Sequence, residues 1–265
     1  MNIVFIGAGN MAEAIVAGIV GNNVVEAAEV CVTDIDERRL EHFESGFGIQ
    51  TSTSNAAAVA DADVVVLSVK PQIFPEVWPA IEGALKPDAL VVSIMAGVPS
   101  AKIANGKPIR VVRVMPNTPS LIGEGAAGVA AGEFATEADL AVATQLLGAV
   151  GVALVVKEEE IDAVTALSGS GPAYVFYLLE SMLAAADQME LAPDVSRELA
   201  LSTVIGAATL MKETGEDAAA LRAKVTSKGG TTHAAITTLE ERGVKDSIIA
   251  ALFAARDRSV ELANG

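Results

Sequence analysis

The sequence predicts an α/β protein in two parts: a doubly wound sheet over residues 1–157, followed by an all-helical part over residues 158–265. Three observations carry this. Short Val/Ile/Leu runs alternate with helical patterns as far as Lys157, the strand signal stops after Glu158, and the remainder repeats apolar residues at helical spacing.

The strand runs come in order. "NIVFIG" (2–7), "EVCVTD" (29–34), "DVVVLSV" (63–69), "ALVVSIM" (89–95), "IRVVRVM" (109–115) and "VALVV" (152–156) are continuous in hydrophobicity rather than alternating. That is the pattern of parallel strands buried on both faces. In the second half, Val175, Leu178, Leu179, Met182, Leu183 and Ala186 follow the i, i+3, i+4 spacing of a helix. Leu201, Val204, Ile205, Ala208 and Met211 do the same, and so do Ile248, Ile249, Leu252 and Ala255. These helices are apolar around much of their circumference, so the second half is expected to interlock with another copy of the chain.

Composition narrows the function. Apolar residues make up 51% of the chain but aromatic residues only 4%, so the core is built from close-packed aliphatic side chains. A net charge of -16 leaves no basic stripe for nucleic acid. The apolar runs are broken before the roughly 18 residues of a membrane span, and "NIVFIG" opens without a basic leader. A single cysteine, Cys31, forms no internal disulfide, and a cytoplasmic protein is expected. Two distant histidines make no metal cluster, so no metal is expected; His42 is read as exposed helix and His233 as surface.

"IVFIGAGNMAEAI" (3–15) places Gly7, Gly9 and Ala12 in the G-x-G-x-x-A arrangement, directly after a strand and at a helix start. The first glycine makes the turn, the second admits pyrophosphate, and the small third residue lets helix and strand pack. Asn10 and Met11 then open a helix whose N-terminus faces the phosphates. About 20 residues on, Asp34 stands where an acid binds the ribose 2′-hydroxyl, while Arg38 and Arg39 follow where a 2′-phosphate would be clamped. The two signals conflict, and a turn residue followed by a solvated helix face explains them equally well. Further candidates on the carboxyl edge of this Rossmann-type sheet are Asn55, Val69, Lys70, Pro71, Ala96, Gly97 and Asn117. Lys70 is either a surface lysine or a ligand-edge residue, and Asn117 either ties its proline-flanked loop or touches cofactor.

"RVVRVMPNTPSLIGEG" (110–125), "LSGSGPAYVF" (167–176) and "TSKGGTTHAAITTLEERG" (226–243), taken with the glycine turn, closely resemble the pyrroline-5-carboxylate reductases of proline biosynthesis. The likeness spans essentially the whole chain. It implies NADP(H) or NAD(H) as cofactor, pyrroline-5-carboxylate as substrate, L-proline as product, and a C-terminal dimerisation domain. It also implies hydride delivery to a cyclic imine. Thr232 is then the hydroxyl nearest the imine nitrogen, with Val225, Gly229, Gly230 and Thr231 around the substrate carboxylate and Ser168 and Ser170 close by. Asp34 departs from the Ser or Thr common in NADPH-preferring members, and Lys228 from a frequent Pro.

Read on their own, Gly229 and Gly230 let consecutive amides converge, with Thr231 or Thr232 capping the following helix; a plain loop and cap is the competing reading. "SGSGP" (168–172) is either a break between helices or a backbone lining, with Pro172 in a first helical turn. Related hydroxyacid dehydrogenases use a lysine on the long connecting helix, and residues 158–190 contain none. A reductase of another cyclic imine, or a nucleotide sensor without catalysis, is the remaining alternative.

Overall fold

The computed structural model describes residues 1–264. Among them the chain forms two compact units, one of residues 1–172 with 254–264 and one of residues 173–253.

The first unit is built on an eight-stranded sheet of the described residues: Ile3–Ile6 (β1), Val30–Thr33 (β2), Gln50–Ser52 (β3), Val64–Leu67 (β4), Leu90–Ser93 (β5), Arg110–Met115 (β6), Gly125–Ala131 (β7) and Gly151–Val155 (β8). Their order is β3-β2-β1-β4-β5-β6-β7-β8. The helices are Asn10–Gly21 (α1), Glu37–Phe47 (α2), Asn55–Val59 (α3), Phe74–Glu82 (α4), Ser100–Ala104 (α5), Glu137–Gly148 (α6) and Ile161–Val164 (α7). Gly171–Gln188 (α8), Pro193–Thr214 (α9), Ala218–Lys224 (α10), Thr231–Glu241 (α11) and Val244–Asn264 (α12) complete the chain.

Strand β1 shows why the runs are apolar throughout. Ile3 and Phe5 face one core layer with Ile15, Val16 and Ile19 of α1, and Val4 and Ile6 face the other with Phe74, Trp78 and Ile81 of α4. Both faces are covered, so no position alternates to polar. The parallel registers Ile6↔Thr33, Ile6↔Leu67 and Leu67↔Ser93 bring the carboxyl ends of β1, β2, β4 and β5 into one edge.

Two strand expectations are corrected. β7 pairs antiparallel with β6, and β8 runs parallel to β7, so these two oppose the rest of the sheet. The link from Met115 to Gly125 is shorter than the dozen or so residues of a crossover, which leaves only the antiparallel return. β8, read as buried, is an edge strand with Val152 and Leu154 more than half exposed in the single chain.

Residues 173–253 are entirely helical between their turns. Ala186, Ser196 and Ala200 are among their few buried residues, while Phe176, Ile205 and Leu210 stand more than half exposed.

Candidate functional site

The carboxyl edge of the sheet begins at Gly7, whose φ of +104° is open to glycine alone. A Cβ there would lie 3.1 Å from the Ser68 carbonyl group and from Val69 Cγ1, so the β1 turn and the β4 loop touch through a bare backbone. Ser68 Oγ donates to both the Ile6 and Gly7 carbonyls at 2.8 Å. Gly9 then stands as the N-cap of α1 with no side chain accepting from the first-turn amides, and Gly9 and Asn10 are exposed. Met11 is half-buried beside them. A 12-residue helix with an open, uncapped N-terminus on a glycine turn fits a pyrophosphate.

The end of β2 supplies the next part. Asp34 Oδ2 accepts from Ala8 N at 2.7 Å and Oδ1 from Asp36 N at 3.0 Å, so one carboxylate spans the glycine turn and the start of α2. Arg39 Nε donates to the carbonyl of the same Ala8 at 2.8 Å, and its guanidinium pairs with Glu13 at 2.7 Å. Arg38 lies against Asp36 and is otherwise open to solvent. Asn55, at the start of α3, accepts from Thr33 Oγ1 at 2.6 Å.

On the β4 loop, Val69 is half-buried, Lys70 is exposed, and Pro71 opens a 3-10 turn. After β5, Ala96 is exposed while Gly97 is buried with φ +68°. A side chain at Gly97 would be strained by that φ and would also crowd Leu262 of α12, whose Cβ would lie 3.0 Å away, so backbone conformation and helix packing both favour glycine here.

Asn117 is 9% exposed and its side-chain amide is used at both ends. Oδ1 accepts from Ala126 N at 2.8 Å and Nδ2 donates to Ser168 O at 3.1 Å. Of its two readings, the structure shows the loop tie. Ser168 belongs to a π turn, Thr165–Gly169, that joins α7 to α8. "SGSGP" is therefore a widened helical turn instead of a break: Ser170 N reaches back to Thr165 O at 2.7 Å, and Pro172 is the second residue of α8.

In the helical unit, Gly229 takes φ +77° and Gly230 is the N-cap of α11. The expected threonine cap is corrected here. Thr231 already lies inside the helix, no side chain caps it, and a Cβ on Gly230 would meet Ser227 Oγ at 2.6 Å. A side chain there would have to turn Ser227 Oγ aside and crowd the Ser227 carbonyl oxygen, 3.2 Å away. Val225 and Thr231 are exposed, Thr232 is half-buried, and His233 is exposed. The α11 N-terminus therefore keeps backbone amides free to take an anion.

Residues 158–262 match the family model for pyrroline-5-carboxylate reductase dimerisation, and residues 2–97 match that for F420-dependent NADP oxidoreductases. The pyrroline-5-carboxylate reductase of Pseudomonas aeruginosa is 46% identical over 98% of this chain and 96% of that protein. The Arabidopsis thaliana reductase is 39% identical over 97% and 94%. A pyrroline-5-carboxylate reductase structure from Coxiella burnetii superposes with a TM-score of 0.93 at 39% identity, covering 99% of this chain and 98% of that one. The Plasmodium falciparum enzyme, solved with NADP bound, gives 0.90 at 27%, with the same coverage.

The chain belongs to the pyrroline-5-carboxylate reductase family.

It is accordingly an NAD(P)H-dependent oxidoreductase. In this reductase the sheet edge also depends on residues the sequence did not single out. Ser68 and Glu13 hold the glycine turn and Arg39, and nothing in their local spacing announces it. A second cluster lies on β6, where the guanidinium of Arg113, 4% exposed, stands 3.8 Å from Glu158 and 3.7 Å from Asp162. Ser100 donates its amide and hydroxyl to Glu158, and Ser259 of α12 donates to Asp162 at 2.7 Å. Burial pushes the Arg113 pKa down, against the opposing pull of the two carboxylates.

Proposed function

We propose that the chain reduces 1-pyrroline-5-carboxylate to L-proline, the last step of proline biosynthesis, with its roles divided between two parts. Residues 1–157 hold the dinucleotide and residues 158–265 bind the ring acid and mediate self-association. The reduced nicotinamide, when bound, supplies the hydride.

The chain's own contribution is placement. The amides at the uncapped start of α11, opened by Gly229 and Gly230, take the substrate carboxylate, and the positive end of the helix dipole favours that charge. Thr231 and Val225 flank this turn. The Thr232 hydroxyl donates to the nitrogen of a neutral imine or accepts from an iminium N–H. A protonated iminium is already electrophilic, so a hydroxyl that fixes the ring suffices where an alcohol-forming reaction would need a stronger proton partner. We keep Ser168 and Ser170, in and just after the π turn, as further candidate substrate residues.

The single observation that carries the residue assignment is the free α11 N-terminus on a double-glycine turn, in a half otherwise built of alanine-rich helices. Exposed Phe176, Ile205 and Leu210 support self-association, since burying apolar area of this kind stabilises an assembly. No described helix is long and apolar enough to cross a membrane, and we assign the protein to the cytoplasm.

The test is to mix the purified chain with pyrroline-5-carboxylate and either NADH or NADPH, and to follow loss of reduced-nicotinamide absorbance together with proline formation. Turnover with at least one cofactor is expected. Nucleotide binding without oxidation would favour a sensor, and oxidation only with another cyclic imine would reassign the substrate.

A further inference from the structure

We infer that Asp34 makes this chain prefer NADH to NADPH, a preference that rests on assigning the dinucleotide to the sheet unit. Two of the acceptor positions on its carboxylate are filled, by Ala8 N at 2.7 Å and Asp36 N at 3.0 Å. An ionised carboxylate offers about four such positions, so it retains capacity for hydroxyl donors. A ribose with free hydroxyls supplies donors. A 2′-phosphate supplies further negative charge and, when fully ionised, no donor.

The nearby cations do not reverse this. Arg39 is held by the Ala8 carbonyl at 2.8 Å and by Glu13 at 2.7 Å, and its guanidinium lies 5.4 Å from the centroid of the Phe43 ring. Moving it to a phosphate would leave Glu13 with His42 alone and break the clamp on the glycine turn. Arg38 is already paired with Asp36 at 3.3 Å, and its side chain is 90% exposed, so any phosphate contact it makes is made in water. His42 faces the same Glu13, at 2.9 Å, from the adjacent turn of α2. Glu13, Asp34, Asp36 and Glu37 outnumber Arg38 and Arg39, and no lysine occurs before Lys70. Asp34 is fixed by two backbone amides, so it cannot swing aside without releasing both.

The experiment is direct binding by the full-length chain, read from the fluorescence of NADH and of NADPH on titration, without substrate. NADH is expected to bind about tenfold or more tightly than NADPH, the difference made by one charge-assisted hydrogen bond kept against a like-charge contact imposed. Asp34→Asn retains an oxygen for the Ala8 amide and removes the charge, and it should bring the two dissociation constants to within about threefold. Equal or tighter NADPH binding by the unaltered chain overturns the inference. If that chain still reduces pyrroline-5-carboxylate, the proposed function stands without it. Binding of neither nucleotide overturns both. An unchanged preference in Asp34→Asn removes Asp34 as its cause.

Discussion

The side-chain amide of Asn117 donates to the Ser168 carbonyl at 3.1 Å, an acceptor that Pro172, four residues on and lacking an N–H, cannot serve. The same side chain accepts from Ala126 N at 2.8 Å, so one residue serves the first residues of β7 and the π turn together. Asn117→Ala strands a donor and an acceptor in a largely buried place. It should lower unfolding free energy by about 2–4 kcal/mol in urea titration. Asn117→Asp keeps the acceptor for Ala126 and turns an oxygen toward Ser168 O, so it should recover little of that loss. Recovery to the wild-type midpoint would show that the Ser168 contact contributes nothing.

Gly128 sits in β7, where a Cβ would lie 2.9 and 3.1 Å from the two methyls of Val164. Gly128→Ala should cost about 1–3 kcal/mol through overpacking. In a calorimetric scan the melting temperature should fall by several degrees. An unchanged value would mean that Val164 moves freely.

These two sites also show where the sequence is readable. β1, β2, β4, β5 and β6 announce themselves because apolar cover on both faces demands unbroken Val, Ile and Leu. β7, "GAAGVAA", hides because its small residues are dictated by what packs on them: Val164 at Gly128, and Ser120 at Gly125. β3 is three residues with no aliphatic side chain. The glycine turn is legible, since Gly7 needs a backbone conformation that the chemistry of one residue type reveals. The Asp34 and Arg39 clamp on Ala8 is not, because it depends on residues some 26 to 31 positions apart meeting in space. The α11 cap misled for a local reason: threonine is a good cap, but the helix already begins at Thr231, which leaves Gly230 at the capping position.

Glu13 gives a pH dependence. Desolvation pushes its pKa up, but hydrogen bonds from Arg39 and His42 outweigh it and hold the carboxyl below its ordinary 4.5. A depressed folded-state pKa means stability that is present above the unfolded value and lost as pH falls through the folded one. Glu13→Gln should therefore destabilise by up to about 1 kcal/mol near neutrality. The gap from wild type should close as the pH drops from about 5 toward 3. A gap that widens in acid would show that the carboxylate is not the stabilising form.

Thr232 and Gly230 separate chemistry from binding. Thr232→Ala should reduce kcat by about a hundredfold or more, with Thr232→Ser retaining most of the rate, as expected of a hydroxyl that holds the reacting nitrogen. Gly230→Ala puts a Cβ where Ser227 Oγ must turn aside and the Ser227 carbonyl oxygen, 3.2 Å away, must give slightly, crowding the start of α11. It should raise KM for pyrroline-5-carboxylate while nucleotide binding in the other unit stays as it was. Steady-state kinetics with a parallel nucleotide titration reads both, and a wild-type kcat in Thr232→Ala would remove its role.

Arg113 tests the charge cluster behind the sheet edge. One guanidinium faces two carboxylates at 3.7 and 3.8 Å, and its Nε has no hydrogen-bond partner, so the attraction is coulombic more than directional. Arg113→Met leaves Glu158 and Asp162 facing each other, each about three-quarters buried, without the charge between them. The expected cost is about 3–5 kcal/mol, because breaking a buried pair exposes the desolvation penalty of what remains. If that explanation holds, adding Glu158→Gln and Asp162→Asn to Arg113→Met should restore more than half of the loss, although Ser100 and Ser259 would then face weaker, neutral acceptors. If the triple variant is no more stable than Arg113→Met alone, the loss comes from the packing of the arginine stem, and the carboxylates do not repel across the gap it fills.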